Sequence, residues 1–339
     1  AAVVEAYGGK LIFSSGDAVF SSMDLLQKEL RETLLTAIRK PGDYPARHGF
    51  ADNDLTDVIA RFPDLRVLVI GDLIVDEYVT CDPLGMSRED PTIVVTPIRS
   101  DRFVGGAGIV AAHARGLGAT VRFFSVANHG EALGFAREKL AEFGVDARIF
   151  IDASRPTTLK QRYRASGKTL LRVSHLRQHD VSRELAEEMI RSVVANLDET
   201  DVLIFSDFNY GCLPQEVVDA IGAECARRGI LAVADSQSSS QLSDISRFKG
   251  MRLITPTEHE ARLAMRDGGT GLVVLAESLR EHARAENVIV TLGTEGLLVQ
   301  SAQNGRHGLV TDQLPAFNSA PKDVSGAGDS LITCAAMAL

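Results

Sequence analysis

From Leu65 onward, short apolar runs alternate with amphipathic helical ones, and that alternation constrains the fold more than any other feature of the chain. The runs Arg66 to Ile70, Val121 to Val126, Val202 to Phe205, Leu231 to Ala234, Leu253 to Thr255 and Val288 to Leu292 are mostly apolar, as strands buried on both faces must be. Helical periodicity falls between them at Gly106 to Arg115, Glu131 to Phe143, Arg183 to Asn196, Pro214 to Arg228 and Glu258 to Arg266. Parallel strands need crossovers of about this length. The spacing therefore predicts a doubly wound α/β fold, a mostly parallel sheet with helices on both faces.

One stretch breaks the alternation. Val75 to Thr80 and Thr92 to Ile98 read as two β-segments around a Pro/Gly turn with no helix between them, which predicts a small β lid over residues 73 to 100 at the ligand-binding edge. Residues 1 to 62 read as a separate extension: a strand at Lys10 to Phe13, a Ser-rich turn, a helix from Asp24 to Arg39 and a linker over Lys40-Pro-Gly-Asp-Tyr-Pro45. The main domain is expected over 63 to 339. The chain opens inside a plausible helix and stops at Leu339 in an apolar helical run without a cap, so both ends read as cut.

Composition bounds the partners. A formal net charge of −9 lacks the concentrated Lys and Arg that a broad nucleic-acid surface needs, though a small anion can still be held locally. Cys81, Cys212, Cys225 and Cys334 form no CxxC pair, so neither a zinc knuckle nor a disulfide framework is indicated, and a reducing cytoplasm is the expectation. No run of 18 apolar residues occurs, so no membrane span is expected.

The chemistry concentrates near the C-terminus, in Asp323-Val-Ser-Gly-Ala-Gly-Asp-Ser330. Glycines opening a helix leave backbone N–H groups free for an anion, and an acid there can take a proton from an alcohol attacking phosphorus. Asp329 is the candidate base, with Gly326, Ala327 and Gly328 as the anion site. For an isolated motif of this kind a plain helix cap is the simpler reading, and the accompanying motifs tip it toward chemistry. Asp72 and Asp76 lie four apart, which on an extended strand sets both carboxylates on one face, where they can bind sugar hydroxyls; Asp72 as a turn acid is the competing reading. Gly105 and Gly106 offer close backbone approach on the substrate side. Thr291, Gly293 and Gly296, directly after an apolar strand, suit a nucleotide pocket or an ordinary turn. Glu260 is a candidate orienter of Mg²⁺-bound water, or else a surface helix acid.

Other motifs fail. Gly106, Gly108 and Ala111 match a dinucleotide fingerprint, but no acid follows Val126 to take a ribose hydroxyl, which also disfavours an NAD-dependent oxidoreductase. Gly167-Lys-Thr169 has Arg162 where a P-loop needs glycine, and His259-Glu260 has Leu263 where a zincin needs histidine. Lys160, Arg162, Arg164, Lys168 and Arg172 alternate on β-patterned segments and read as a solvated sheet face, one of which could reach a substrate phosphate.

Taken in order, Gly105-Gly106, Ser206-Asp-Phe-Asn-Tyr-Gly211, Thr255-Pro256, the Thr291-x-Gly-x-x-Gly296 turn and Gly326-Ala-Gly-Asp329 resemble the PfkB/ribokinase family of sugar kinases, from about Leu65 to the end of the chain. Ser87-Arg-Glu-Asp-Pro91, leading into Thr92 to Ile98, looks like the lid of the heptose 7-phosphate kinases of ADP-heptose synthesis. The resemblance implies MgATP as donor, Asp329 as base, Gly326 and Gly328 at the anion hole, Asp76 on the sugar, and a lid that contributes to a homodimer. It also implies a sugar or sugar-phosphate acceptor, with D-glycero-D-manno-heptose 7-phosphate phosphorylated at O1 as the narrower expectation. Three positions depart from the family: its sugar-binding Asn is Ile109, the Asn of its Asn-x-x-Glu element is Thr257, and the heptose-kinase Asp-Pro-Lys is Asp235-Ser-Gln237. They motivate an alternative, a nucleotide- or sugar-binding protein with reduced or lost kinase activity. Gly8-Gly-Lys-Leu-Ile-Phe13 with Phe20-Ser-Ser-Met-Asp24 resembles the end of a nucleotidylyltransferase-like domain.

Overall fold

The computed structural model describes residues 44–237, 244–302, 309–318 and 324–339. The strand expected at Lys10 to Phe13, the helix at Asp24 to Arg39 and Asp323 lie outside the described residues. Tyr44 and Pro45, read above as linker, instead open a short helix, α1 (Tyr44–His48), which is followed by α2 (Asp52–Ala60).

Leu65 leads into β1 (Arg66–Gly71), the strand around which the domain is built. The elements then run β2 (Leu73–Met86), β3 (Ile93–Gly106), α3 (Ala107–Gly116), β4 (Thr120–Ala127), α4 (Glu131–Glu142), β5 (Asp146–Ile151), β6 (Thr158–Ala165), β7 (Lys168–His175) and α5 (Arg183–Val194). The second half continues with β8 (Val202–Asp207), α6 (Gln215–Arg228), β9 (Leu231–Ser236), β10 (Leu253–Ile254), α7 (Glu258–Met265), α8 (Leu272–Ala283), β11 (Asn287–Thr291), β12 (Leu297–Ala302), β13 (Leu309–Leu314) and α9 (Ala327–Ala338).

The main sheet has the order β13-β12-β11-β10-β9-β8-β1-β4-β5. It is parallel from β11 through β5, and β12 and β13 pair antiparallel at one edge. Side-chain alternation splits each central strand between two cores. Leu68 and Ile70 of β1 pack with Leu203, Phe205 and residues of α5, α6 and α8, while Val67 and Val69 pack with Ile204 and residues of α3, α4 and α9. Burial on both faces explains why these strands read as continuous apolar runs.

The strand order reverses around β1, whose neighbours are β8 and β4, and in doubly wound sheets such a switch opens a crevice at the carboxyl ends of the strands. Over this crevice lies a second sheet of order β3-β2-β6-β7. The lid therefore has four strands, β6 and β7 joining the two β-segments read over 73 to 100. Only Ile74 to Thr80 of β2 pair with β6; beyond them β2 and β3 continue as a two-stranded ribbon.

Candidate active site

The turn from β1 into the lid is organised by Asp72. Its buried carboxylate accepts hydrogen bonds from the backbone N–H groups of Phe208 (2.8 Å), Tyr210 (3.4 Å) and Cys212 (3.2 Å). Burial, reinforced by the Asp207 charge, raises its pKa. This corrects the expectation that Asp72 binds sugar. It lies between β1 and β2 rather than on an extended strand, so the shared-face argument fails, and its oxygens are committed to the 208 to 212 loop.

Asp76, on β2, does face the crevice. Between sheet and lid lies a cavity of about 850 Å³, lined by Asp76, Gly105, Gly106, Gly326 and Asp329 together with Ile74, Phe103, Val104, Ile109, Phe208 and Gln237. Gly105 is adjacent to the Asp76 carboxylate so closely that a Cβ would sit 2.2 Å from Oδ2. Gly106 has φ +58°, and a Cβ there would meet the Asp72 carbonyl at 2.4 Å. The glycine pair thus makes room for the chain's own acids as well as lining the cavity. The dinucleotide fingerprint is ruled out by position, because the strand entering α3 is the lid strand β3, not a central parallel strand.

Asp329 sits in the first turn of α9, 7% exposed, with Gly326 as a left-handed N-cap at φ +77°. Its carboxylate accepts a hydrogen bond from Gln237 Nε2 at 3.0 Å. Burial outweighs that bond and, with the Asp76 charge adding and the Lys160 charge opposing, pushes Asp329 up to about 6. Ala327 is corrected as an anion-site donor: its N–H donates to the Val324 carbonyl at 3.2 Å. Gly328 stands beside Gln237. Behind Gln237, burial and the neighbouring Glu260 and Asp329 carboxylates push Asp235 up to about 8. The two acids in contact with the Gln237 amide thus both titrate well above the ordinary carboxylate range.

The wall opposite is basic. Lys160, Arg162 and Arg164 on β6 all line the cavity, because residues two apart on a strand share a face. This corrects their reading as a solvated face; Lys168 and Arg172, on β7, are not in the lining. Arg162 Nη1 donates to Asp76 Oδ1 at 2.5 Å. Lys160 Nζ rests 5.4 Å and 5.1 Å from the ring centroids of Phe208 and Tyr210. Asp72 holds those two rings in place through their backbone, which links the misread acid to the site. The Lys-x-Arg-x-Arg alternation was visible in the sequence, but nothing local said which face it would present.

Thr291, Gly293 and Gly296 lie outside this cavity, Thr291 as the last residue of β11 and the two glycines in the turn that follows it. Thr291 bridges in parallel to Thr257 and donates its N–H to the Pro256 carbonyl at 2.9 Å. Glu260 is buried rather than a surface acid, and forms a capping box with Thr257 at the start of α7, accepting from Thr257 N and Oγ1 at 2.8 Å each. Among the described residues, no group of three His, Cys, Asp or Glu side chains could hold a metal directly.

A family model described as pfkB family carbohydrate kinase matches residues 64–339, most of the chain. The chain is a PfkB-family carbohydrate kinase. Relatives of this kinase include two proteins named bifunctional protein HldE. The one from Desulfatibacillum aliphaticivorans is 29% identical over 286 residues, covering 83% of this chain and 56% of the relative. The one from Geotalea uraniireducens is 30% identical over 290 residues, covering 84% and 57%. The kinase thus spans a little over half the length of these relatives. In fold it is similar to tetrameric phosphofructokinase-2 from Escherichia coli, with a TM-score of 0.62 at 16% identity, covering 79% of this chain and 85% of that one. Arabidopsis thaliana ribokinase complexed with ribose and ATP has a TM-score of 0.59, also at 16% identity, covering 81% and 85%. The doubly wound α/β fold expected from the alternation is the fold these structures share. Among the described residues, no helix is long and apolar enough to cross a membrane.

Proposed function

We propose that the kinase transfers the γ-phosphoryl group of ATP to a hydroxyl of a sugar phosphate, with Asp329 as the base. The observation that carries this reading is one cavity lined by Asp329 of α9 and, on the lid, by Asp76 beside Lys160, Arg162 and Arg164. Asp76 is placed to accept from sugar hydroxyls, and the basic row suits the acceptor's phosphate. Among the described residues, Lys160 Nζ has no ion-pair partner, and a phosphate would supply one. Likeness to the HldE proteins and the Ser87-Arg-Glu-Asp-Pro91 segment favour D-glycero-D-manno-heptose 7-phosphate, phosphorylated at O1.

The donor is MgATP, approaching from the carboxyl ends of β10 and β11, where Thr291, Gly293, Gly296 and Glu260 gather. Burial and the nearby Glu260 and Asp329 carboxylates raise Asp235, and a Mg²⁺ ion held there through water would relieve that repulsion and neutralise phosphate charge. Gly326 and Gly328 open α9 where its N-terminus favours an anion. Asp329 takes the proton of the acceptor hydroxyl as that oxygen attacks phosphorus. The lid excludes water, and its exposed apolar ribbon favours a homodimer.

ATP consumption across a panel of sugar phosphates and free sugars tests the reading. Phosphorylated acceptors should turn over faster, and Asp329→Asn should abolish turnover while ATP binding by calorimetry survives. Full activity of Asp329→Asn would exclude it as the base. Ile109, Thr257 and Gln237 support a second reading, a binding protein of reduced activity, and ATP binding with no consumption on any acceptor would favour that one.

A further inference from the structure

Gln237 stands one residue past β9, and its main chain is held from both sides. Its N–H donates to the Asp207 carbonyl at 2.8 Å, and its own carbonyl accepts from Asn209 Nδ2 at 3.1 Å. With the backbone held, the side chain enters the cavity, where Nε2 lies 3.0 Å from Asp329 Oδ1 and 3.5 Å from Asp235 Oδ2. A primary amide has two N–H bonds, one for each carboxylate. Among the described residues, no other group donates a hydrogen bond to the Asp329 carboxylate.

That single bond matters because a carboxylate rotates in a broad, two-fold well about χ2. At 7% exposure the Asp329 carboxylate depends on protein groups for its orientation. The contact on Oδ1 leaves Oδ2 on the Gly326 side, 3.7 Å from where a Cβ of that residue would stand.

We propose that Gln237 is a positioning residue for phosphoryl transfer: its amide occupies Oδ1 of Asp329 and so presents Oδ2, on the Gly326 side, to the acceptor hydroxyl. The inference rests on the assignment of Asp329 as base. In the step it serves, the acceptor O–H bond breaks and its proton goes to Oδ2. The new O–P bond forms as the bond from phosphorus to the departing ADP breaks.

The test uses the full chain and three variants, Gln237→Leu, Gln237→Lys and Asp329→Asn, assayed with MgATP and D-glycero-D-manno-heptose 7-phosphate. Gln237→Leu keeps the bulk and loses the donor, so kcat should fall on the order of 10²-fold, as expected for a misplaced reacting group, with both KM values little changed. Gln237→Lys restores an N–H donor and should recover most of kcat. Crystal structures of the wild type and Gln237→Leu should show the Asp329 carboxylate turned in the variant. Wild-type kcat in Gln237→Leu with Asp329→Asn inactive would overturn the positioning role and leave the base intact. Equal losses in the Leu and Lys variants, accompanied by a lower Tm, would reduce Gln237 to a structural brace between β9 and α9. Should Asp329→Asn stay active, or the heptose phosphate prove inert, the base or acceptor assignment fails by itself. The crystal structures then decide Gln237 alone, and an unmoved carboxylate overturns the proposal.

Discussion

Asp329 shows how one residue's chemistry depends on neighbours far away in the chain. An exposed carboxylate is almost fully ionised at neutral pH but weakly basic, whereas burial raises Asp329 to about 6, nearer the pH at which a base must work. The sign of the pH dependence follows. As the proposed base Asp329 would act ionised, so protonation would inactivate it, and kcat/KM should be level above its pKa and fall about tenfold per unit below pH 6. A pH–rate profile measured from pH 4.5 to 8.5 checks this, and an acid limb near pH 4 would contradict the buried setting. Ile109, at the family's amide position, adds the opposite kind of surface. With Ile74, Val104 and Phe103 it makes an apolar wall against which an unpartnered hydroxyl is costly.

At the level of elements, short polar contacts place the larger pieces. Asp72 ties the 208 to 212 loop to the end of β1, and that loop carries the two rings under Lys160. Asp72→Asn should lower stability by roughly 1–3 kcal/mol, because the amide N–H₂ then faces a backbone N–H that the carboxylate had satisfied. Urea unfolding measures the loss, and a variant as stable as wild type would show that water replaces the lost acceptor. On the outer side of the lid, Glu77 accepts from Ser100, Arg102 and Gln161, and Arg102 also pairs with Glu131 at the start of α4. These bonds fasten lid to core at its base and leave the ribbon beyond Thr80 to project. At the other edge, Arg47 and His48 of α1 bond Asp312 of β13, so the segment preceding the domain is docked on its sheet.

For the molecule as a whole, the projecting ribbon is the unbalanced feature. Leu84, Met86, Ile93 and Ile98 are each more than half exposed there, which is an unusual concentration of large apolar side chains at a sheet extremity. Pairing of two lids would cover them, and light scattering should find two chains per particle. Ile93→Asp, which sets a charge in register with Met86, should return the particle to one chain. A wild type that is monomeric at every concentration would exclude pairing through the lid.

The fold was legible because parallel strands buried on both faces leave unmistakable apolar runs, spaced by helices of crossover length. Asp329, Asp76, Gly105, Gly106 and Gly326, each singled out by a compact local pattern, line one cavity. The elements least visible were β5, β12 and β13, whose partly exposed faces dilute the apolar signal. Orientation was not legible at all. Asp72 and Asp76 look alike in the chain, yet one is buried under three backbone N–H groups and the other faces the crevice. Lys160, Arg162 and Arg164 form the same alternation whether they face solvent or substrate. Gln237 comes within reach of Asp329 only because β9 and α9 end at the same edge of the sheet. Local sequence determines which side chains share a face; what that face looks at depends on strand order and lid pairing, which are set by contacts far apart in sequence and a few ångströms apart in space.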